Sequence, residues 1–198
     1  MPARDHIIYI PGLSDKGLLK KSQQLGVFLW RLRFGITTET FVVGWDSKTE
    51  SFDQKLNRIL KRIDAAHAAG RRVSLVAASA GASMATSAFV LRPEAIHRVV
   101  VVAGALGPVD DAGPATLALN PAFKTALERQ PAAIQRLTPA DKARMLSVKP
   151  QQDRVVPLHD MDIEGIHYLN LSIKGHLKII GSALTTHSKD ILHFITHE

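Results

Sequence analysis

Six short apolar runs are threaded along this chain, each separated from the next by a stretch of helical periodicity or a longer connection. They fall at residues 6–10, 40–45, 73–77, 98–103, 144–149 and 166–174. The fourth contains Val99, Val100, Val101 and Val102 in succession, so it is apolar on both faces. A strand of that kind must be covered from both sides, which is the condition of a parallel sheet flanked by helices. Helices are expected over 18–34, 51–69, 81–91 and 188–196. In the second of these Phe52, Leu56, Ile59, Leu60 and Ile63 share one face and Gly70 ends the pattern. The last run alternates instead, with His167, Leu169, Leu171 and Ile173 opposed to Tyr168, Asn170, Ser172 and Lys174. That pattern places it near an edge of the sheet. The expected fold is therefore α/β, with a mostly parallel sheet and helices on both faces.

Composition narrows the classes. With 198 residues, 45% of them hydrophobic, the chain is long enough for one well-filled core and short for two. No Pro/Gly/Ser-rich linker, internal repeat or low-complexity stretch divides it, so residues 1–198 read as a single domain. Met1-Pro-Ala-Arg-Asp5 runs straight into the first apolar strand, without the charged segment and long apolar core of a signal peptide. The most apolar run, 99–106, is too short to span a bilayer. The absence of cysteine excludes a disulfide framework and thiolate chemistry, and a cytoplasmic location is expected. The net charge of +7 is spread over the expected helices as Lys20, Lys21, Arg31, Arg33, Arg58, Arg62 and their neighbours. Solvated helix faces account for it, and attraction of anionic substrates or surfaces is the sharper alternative. Aromatics make up 6% and do not interleave with the bases, so no nucleic-acid partner is expected.

In a parallel sheet, ligands bind beyond the carboxyl ends of the strands. The third strand runs as Leu75-Val-Ala-Ala-Ser79-Ala-Gly81 into a helix of small residues. A serine there stands on a tight strand-to-helix turn, with Ala77 and Gly81 small enough to let the two backbones close together. The helix start also aims free backbone N–H groups at whatever the serine meets. Pro11-Gly12-Leu13-Ser14-Asp15 follows the first strand, where Ser14 or Asp15 can serve simply as a helix cap. Asp153 follows the fifth strand and Gly175-His176 the sixth. Asp160 and Asp162 compete with Asp153, and His159, His187, His193 and His197 compete with His176.

A hydroxyl, a carboxylate and an imidazole thus each follow a separate strand, in the order Ser, Asp, His. Here the chain resembles the α/β-hydrolase superfamily over essentially its whole length. The resemblance rests on the Ile8-Tyr-Ile-Pro-Gly-Leu-Ser14 loop, the Ala77-x-Ser79-x-Gly81 turn, Asp153-x-Val-Val-Pro157 and Gly175-His176. It implies Ser79 as nucleophile, His176 as general base and Asp153 as the acid that orients it. The backbone N–H groups of Leu13 and Ala80 would form the oxyanion hole. The implied substrate is a small acyl compound, and no metal or organic cofactor is called for. Ala77 replaces a commoner glycine, and Pro11-Gly12 replaces the His-Gly with which the family often opens its oxyanion loop. His176 is preferred because it comes first after the last strand, and Asp160 and Asp162 fall further from theirs.

Residues 106–142 occupy the place of the family's lid. They are rich in Ala and Pro, with Leu117, Leu119 and Phe123 as the main apolar contributors. They read either as a short cap over a shallow, open acyl pocket or as the ordinary helix between two strands, with no lid function. Serine at position 79 disfavours a haloalkane dehalogenase, whose family uses aspartate there. Ester, thioester, amide and peptide hydrolysis share these motifs, and a non-catalytic binding protein on the same fold is the alternative.

Overall fold

The computed structural model describes residues 4–13, 17–109 and 112–197, with residues 17–20 described by their backbone alone. Ser14 and Asp15, read above as a helix cap, lie outside the described residues. Among the described residues six strands form one sheet. They are β1 (Arg4–Ile10), β2 (Thr37–Thr40), β3 (Arg71–Ala78), β4 (Ile96–Val102), β5 (Met145–Gln152) and β6 (His167–Lys174). The spatial order is β2-β1-β3-β4-β5-β6, and every pairing is parallel. Parallel neighbours need crossovers, and helices α1 (Gly17–Phe34), α2 (Phe52–Ala68) and α3 (Gly81–Leu91) supply the first three. Helices α4 (Pro114–Leu119), α5 (Pro121–Gln135) and α6 (Pro139–Lys142) lie between β4 and β5, and α7 (His176–Leu184) and α8 (Ser188–Thr196) follow β6.

Alternate residues of each strand point to opposite faces, and the core divides accordingly. Ile8, Ile10, Leu75, Ala77, Val99 and Val101 pack under α2, α3 and α5. Ile7, Tyr9, Val76, Val100 and Val102 pack under α1, α7 and α8. The buried Tyr9 hydroxyl donates to Gln23 Oε1 at 3.1 Å, and burial pushes its pKa up. At the sheet edge β6 alternates as its sequence indicates, and Leu171 is its one buried residue.

Two elements differ from the sequence reading. The second strand is Thr37–Thr40, not 40–45: it pairs with His6 to Tyr9 of β1, and the ladder ends with Phe41 N–H donating to the Tyr9 carbonyl at 2.8 Å. Beyond that point the partner strand runs into Pro11, which has no N–H, and the ladder cannot continue. Phe41, Val43 and Trp45 still alternate into the core, so the apolar pattern reports burial without strand pairing. The second difference is α7. His176 opens this helix, which is absent from the expected set, with Gly175 at φ +104° as its N-cap.

The loop after β2 is held from α2. Lys55, fully buried, donates to the Gly44 carbonyl at 2.8 Å and pairs with Glu50 at 3.3 Å. Arg58 donates to the Val43 carbonyl at 2.9 Å and also pairs with Glu50. Ser51 caps α2 through a reciprocal capping box with Gln54. These contacts fix Trp45, whose ring meets Phe123 of α5 edge-on at 5.5 Å.

The tightest approach in the sheet region is at Gly81, where an added Cβ would stand 2.4 Å from the Ile10 carbonyl oxygen. Gly81→Ala must push α3 off the end of β1. The expected cost is about 1–3 kcal/mol of folding stability, measured as a lowered urea midpoint at unchanged slope.

Candidate active site

Ser79 stands between the last residue of β3 and the first of α3, with φ +50°. Few non-glycine residues adopt that conformation, and it carries a strain of order 1–2 kcal/mol. The turn is held at both ends: Ser79 N–H donates to the Val102 carbonyl at 3.0 Å, and Ala82 N–H donates to the Ser79 carbonyl at 2.9 Å. Three glycines make room for it. Besides Gly81, a Cβ on Gly12 would stand 2.9 Å from Ser79 Cβ, and one on Gly104 would stand 2.8 Å from the Ser79 carbonyl oxygen. Ala103, at φ +48°, turns the chain at the end of β4 so that Gly104 passes under this elbow.

Asp153 follows β5 with its side chain fully buried. Its Oδ1 accepts from the backbone N–H groups of Val155 at 2.7 Å and Val156 at 3.1 Å. Its Oδ2 lies 2.8 Å from His176 Nδ1, and His176 Nε2 lies 2.9 Å from Ser79 Oγ. The Gly175 N–H donates to the Gln152 carbonyl at 2.9 Å, which ties the start of α7 to the residue before Asp153. A carboxylate can only accept, so Nδ1 carries the hydrogen and a neutral ring leaves Nε2 to accept from the serine hydroxyl.

No protein-family model matches the chain, and no curated protein matches it in sequence. Solved structures do match. One of the metagenome-derived lipolytic enzymes LipS and LipT shares 15% identity at a TM-score of 0.71, over 100% of this chain and 96% of that one. MGS-MChE2, an α/β-hydrolase enzyme from the metagenome of lagoon sediments at Mar Chica, Morocco, shares 16% at 0.65, over 96% and 90%. Est1E from Butyrivibrio proteoclasticus shares 13% at 0.60, over 100% and 90%.

The chain has the α/β-hydrolase fold. Within this fold the competing residues are engaged with other partners. His187 pairs with Asp190 at 3.1 Å at the start of α8, and His193 stacks on His197 at the end of the same helix. His159 pairs with Asp160 at 3.1 Å, and Asp162 pairs with Lys149. Ser83, the nearest other serine of α3, turns its hydroxyl back to the Ala80 carbonyl at 2.9 Å.

A cavity of about 200 Å³ opens at Ser79. Leu13 and Ala80 flank the serine there, and Ala80 stands at the N-terminal end of α3, where backbone N–H groups gather positive potential. Phe123, Leu127 and Gln130 of α5 line it, as do Val155 to Pro157 from the segment after Asp153. Of the lid-region residues singled out by sequence, Phe123 is buried against the cavity, Leu117 is partly buried and Leu119 is exposed. Gly12, Gly104 and Gln130 are the site residues that sequence reasoning missed or gave no part here. Gln130 had a readable signal, a polar residue continuing the apolar face of Ala122, Phe123 and Ala126.

The strain at Ser79 predicts an ordering of variants. Ser79→Gly relieves the left-handed backbone and Ser79→Ala does not, so the glycine variant should be the more stable by about 1 kcal/mol in urea unfolding. Equal stabilities would mean that the turn relaxes.

Proposed function

We infer that this protein is a serine hydrolase that cleaves a carboxylic ester through an acyl-enzyme. One observation carries the reading: the unbroken line from Ser79 Oγ through both ring nitrogens of His176 to Asp153, with 2.9 and 2.8 Å links. The fold supports it, since α/β-hydrolase neighbours include lipolytic and esterase enzymes.

The residues divide the work as follows. Ser79 Oγ attacks the acyl carbon and its proton passes to His176 Nε2. The new C–O bond draws the carbonyl electrons onto an oxyanion, which meets the backbone N–H groups of Leu13 and Ala80. The oxyanion collapses, the bond to the leaving alkoxide breaks, and Nε2 returns the proton to it. Water then adds to the acyl-enzyme by the same route and releases the acid. Asp153 keeps the proton on Nδ1 throughout and stabilises the imidazolium between steps. Every step uses side chains, backbone and water, so no cofactor or metal is assigned a role. The reading takes residues 1–198 as one hydrolase domain and 106–142 as a short fixed cover over the acyl pocket. It expects a small-molecule acyl substrate and action in the cytoplasm.

Ser79→Ala should abolish turnover of activated esters and labelling by a fluorophosphonate while leaving the fold intact. His176→Ala should lose at least about a thousandfold in kcat, and His187→Ala should keep wild-type rates. A fully active His176 variant, or label found on another serine, would overturn the assignment. Asp153→Asn favours the wrong tautomer, so it should lower kcat by on the order of a thousandfold with little change in KM. Wild-type protein that takes no fluorophosphonate would instead mark a binding protein on this fold. Matched ester, thioester and amide substrates would decide the scissile bond.

A further inference from the structure

Helix α1 is apolar on two sides. Val27 and Trp30 pack into the core beneath it, and Gln23 joins them on that buried face. Leu25, Phe28, Leu29 and Leu32 follow the i, i+3, i+4, i+7 spacing of a second face, which is turned to solvent. They are 57, 48, 46 and 68% exposed, which leaves on the order of 400 Å² of apolar surface in water along about two turns of helix. Single exposed leucines need no explanation, but contiguous apolar surface with a charged rim marks a face that meets something apolar. Its edge continues into a groove of about 510 Å³ whose lining includes Leu29, Trp30, Leu32, Phe34 and Leu184.

The charges around this face have one sign. Lys21 lies one turn before Leu25, and Arg31 and Arg33 lie one turn after Phe28 and Leu29. All three are exposed, and none pairs with a carboxylate among the described residues. Arg58 and Arg62 of α2 and Arg129 of α5 each hold a carboxylate instead. Neither α1 nor α7 contains Asp or Glu, and the two helices are joined where Trp30 Nε1 donates to the Leu184 carbonyl at 2.9 Å. The groove lining adds Arg33 and no acid. These charges decide against a second copy as the occupant, because a two-fold pairing of the face sets like charges against each other. The area decides the same way, since about 400 Å² is half of the roughly 800 Å² per partner that a stable interface buries.

We propose that α1 docks this protein on an anionic lipid surface, with Leu25, Phe28, Leu29 and Leu32 entering the acyl boundary and Lys21, Arg31 and Arg33 at the headgroups. The convex side of a single helix suits a bilayer, which yields to what enters it, whereas a protein partner must supply a fitted groove. Both contributions are needed. The four apolar side chains supply burial, and each base near an anionic surface adds about fivefold in affinity. The docking is peripheral, since among the described residues no helix is long and apolar enough to cross a membrane. It stands on α1 alone, whether or not the site around Ser79 hydrolyses an ester.

The test is flotation of the full chain with vesicles of phosphatidylcholine alone and of phosphatidylcholine with about one third phosphatidylglycerol. The protein should float with the anionic vesicles and stay behind with the neutral ones, and raising the salt from about 0.05 to about 0.5 M should weaken binding about tenfold or more. The double variant Phe28→Ser, Leu32→Ser should lose about tenfold or more in affinity, and so should Arg31→Gln, Arg33→Gln. Leu91→Ser, at an exposed apolar position of α3, should bind as the wild type does. Ser79→Ala should also bind normally, which separates docking from turnover. Equal binding to the two vesicles, no binding, or binding that Phe28→Ser, Leu32→Ser leaves intact overturns the proposal. So does a dimer in analytical ultracentrifugation that this variant returns to monomer, since the occupant is then a second copy. Polyglutamate bound as tightly as the anionic vesicles, and lost in the same variant, would assign the face to an acidic protein and overturn it as well. The wild-type comparison of the two vesicles stands even if a variant fails to fold.

Discussion

The contact of α3 with the end of β1 sets the terms for everything around Ser79. Gly81 sits so close to the Ile10 carbonyl that a single added carbon has no place. That closeness sharpens the turn after β3 and forces Ser79 into its left-handed conformation. Gly12 and Gly104 close on the same residue from the ends of β1 and β4. The carboxyl ends of three adjacent strands are thereby drawn onto one serine. A backbone so constrained from three directions holds a strained conformation that a free turn would abandon.

Most of the sheet was legible because its strands are covered on both faces, and a short continuous apolar run fits few structural roles besides a buried strand. The failures fall where local pattern and tertiary partner part company. Phe41, Val43 and Trp45 look like a strand because they alternate, yet β1 has already ended at Pro11 and offers nothing to pair with. Helix α7 escaped notice because it begins directly after a strand, with only Gly175 between the two, though Ile179, Ile180, Ala183 and Leu184 carry a helical repeat. The candidate residues could be named from their order after the strands. What the sequence did not contain was distance. Ser79 and His176 are 97 residues apart along the chain, and His159, His187, His193 and His197 had to be set aside by where they fall relative to the strand ends. Gln130 shows the opposite case, in which a misfit on a helix face was readable and had no meaning until a cavity appeared beside it.

The cavity wall is supported from some distance. Lys55 is a fully buried charge, and it is met by the Gly44 carbonyl and Glu50 rather than by water. Removing one partner of such a group leaves a buried charge uncompensated, which is far costlier than never having had the pair. This cluster fixes the loop that carries Trp45, and Trp45 braces Phe123 in the cavity wall. On the outer side Arg129 of α5 pairs with Asp53 of α2 and holds its carboxyl below the usual range. The shape of the pocket is thus decided partly by residues that never touch it.

His176 hangs from the least protected strand of the sheet. One flank of β6 is open, and a single one of its residues is buried. The imidazole is nonetheless held between an elbow and a loop that both belong to the interior. Proteins open in parts, and edges open at lower free energy than centres. Under the proposed chemistry, the fraction of molecules with the imidazole within reach of the serine follows the local opening equilibrium of this edge. Catalytic competence and global folding are then separate quantities in this protein, and a population can be fully folded by its core while part of it is chemically idle.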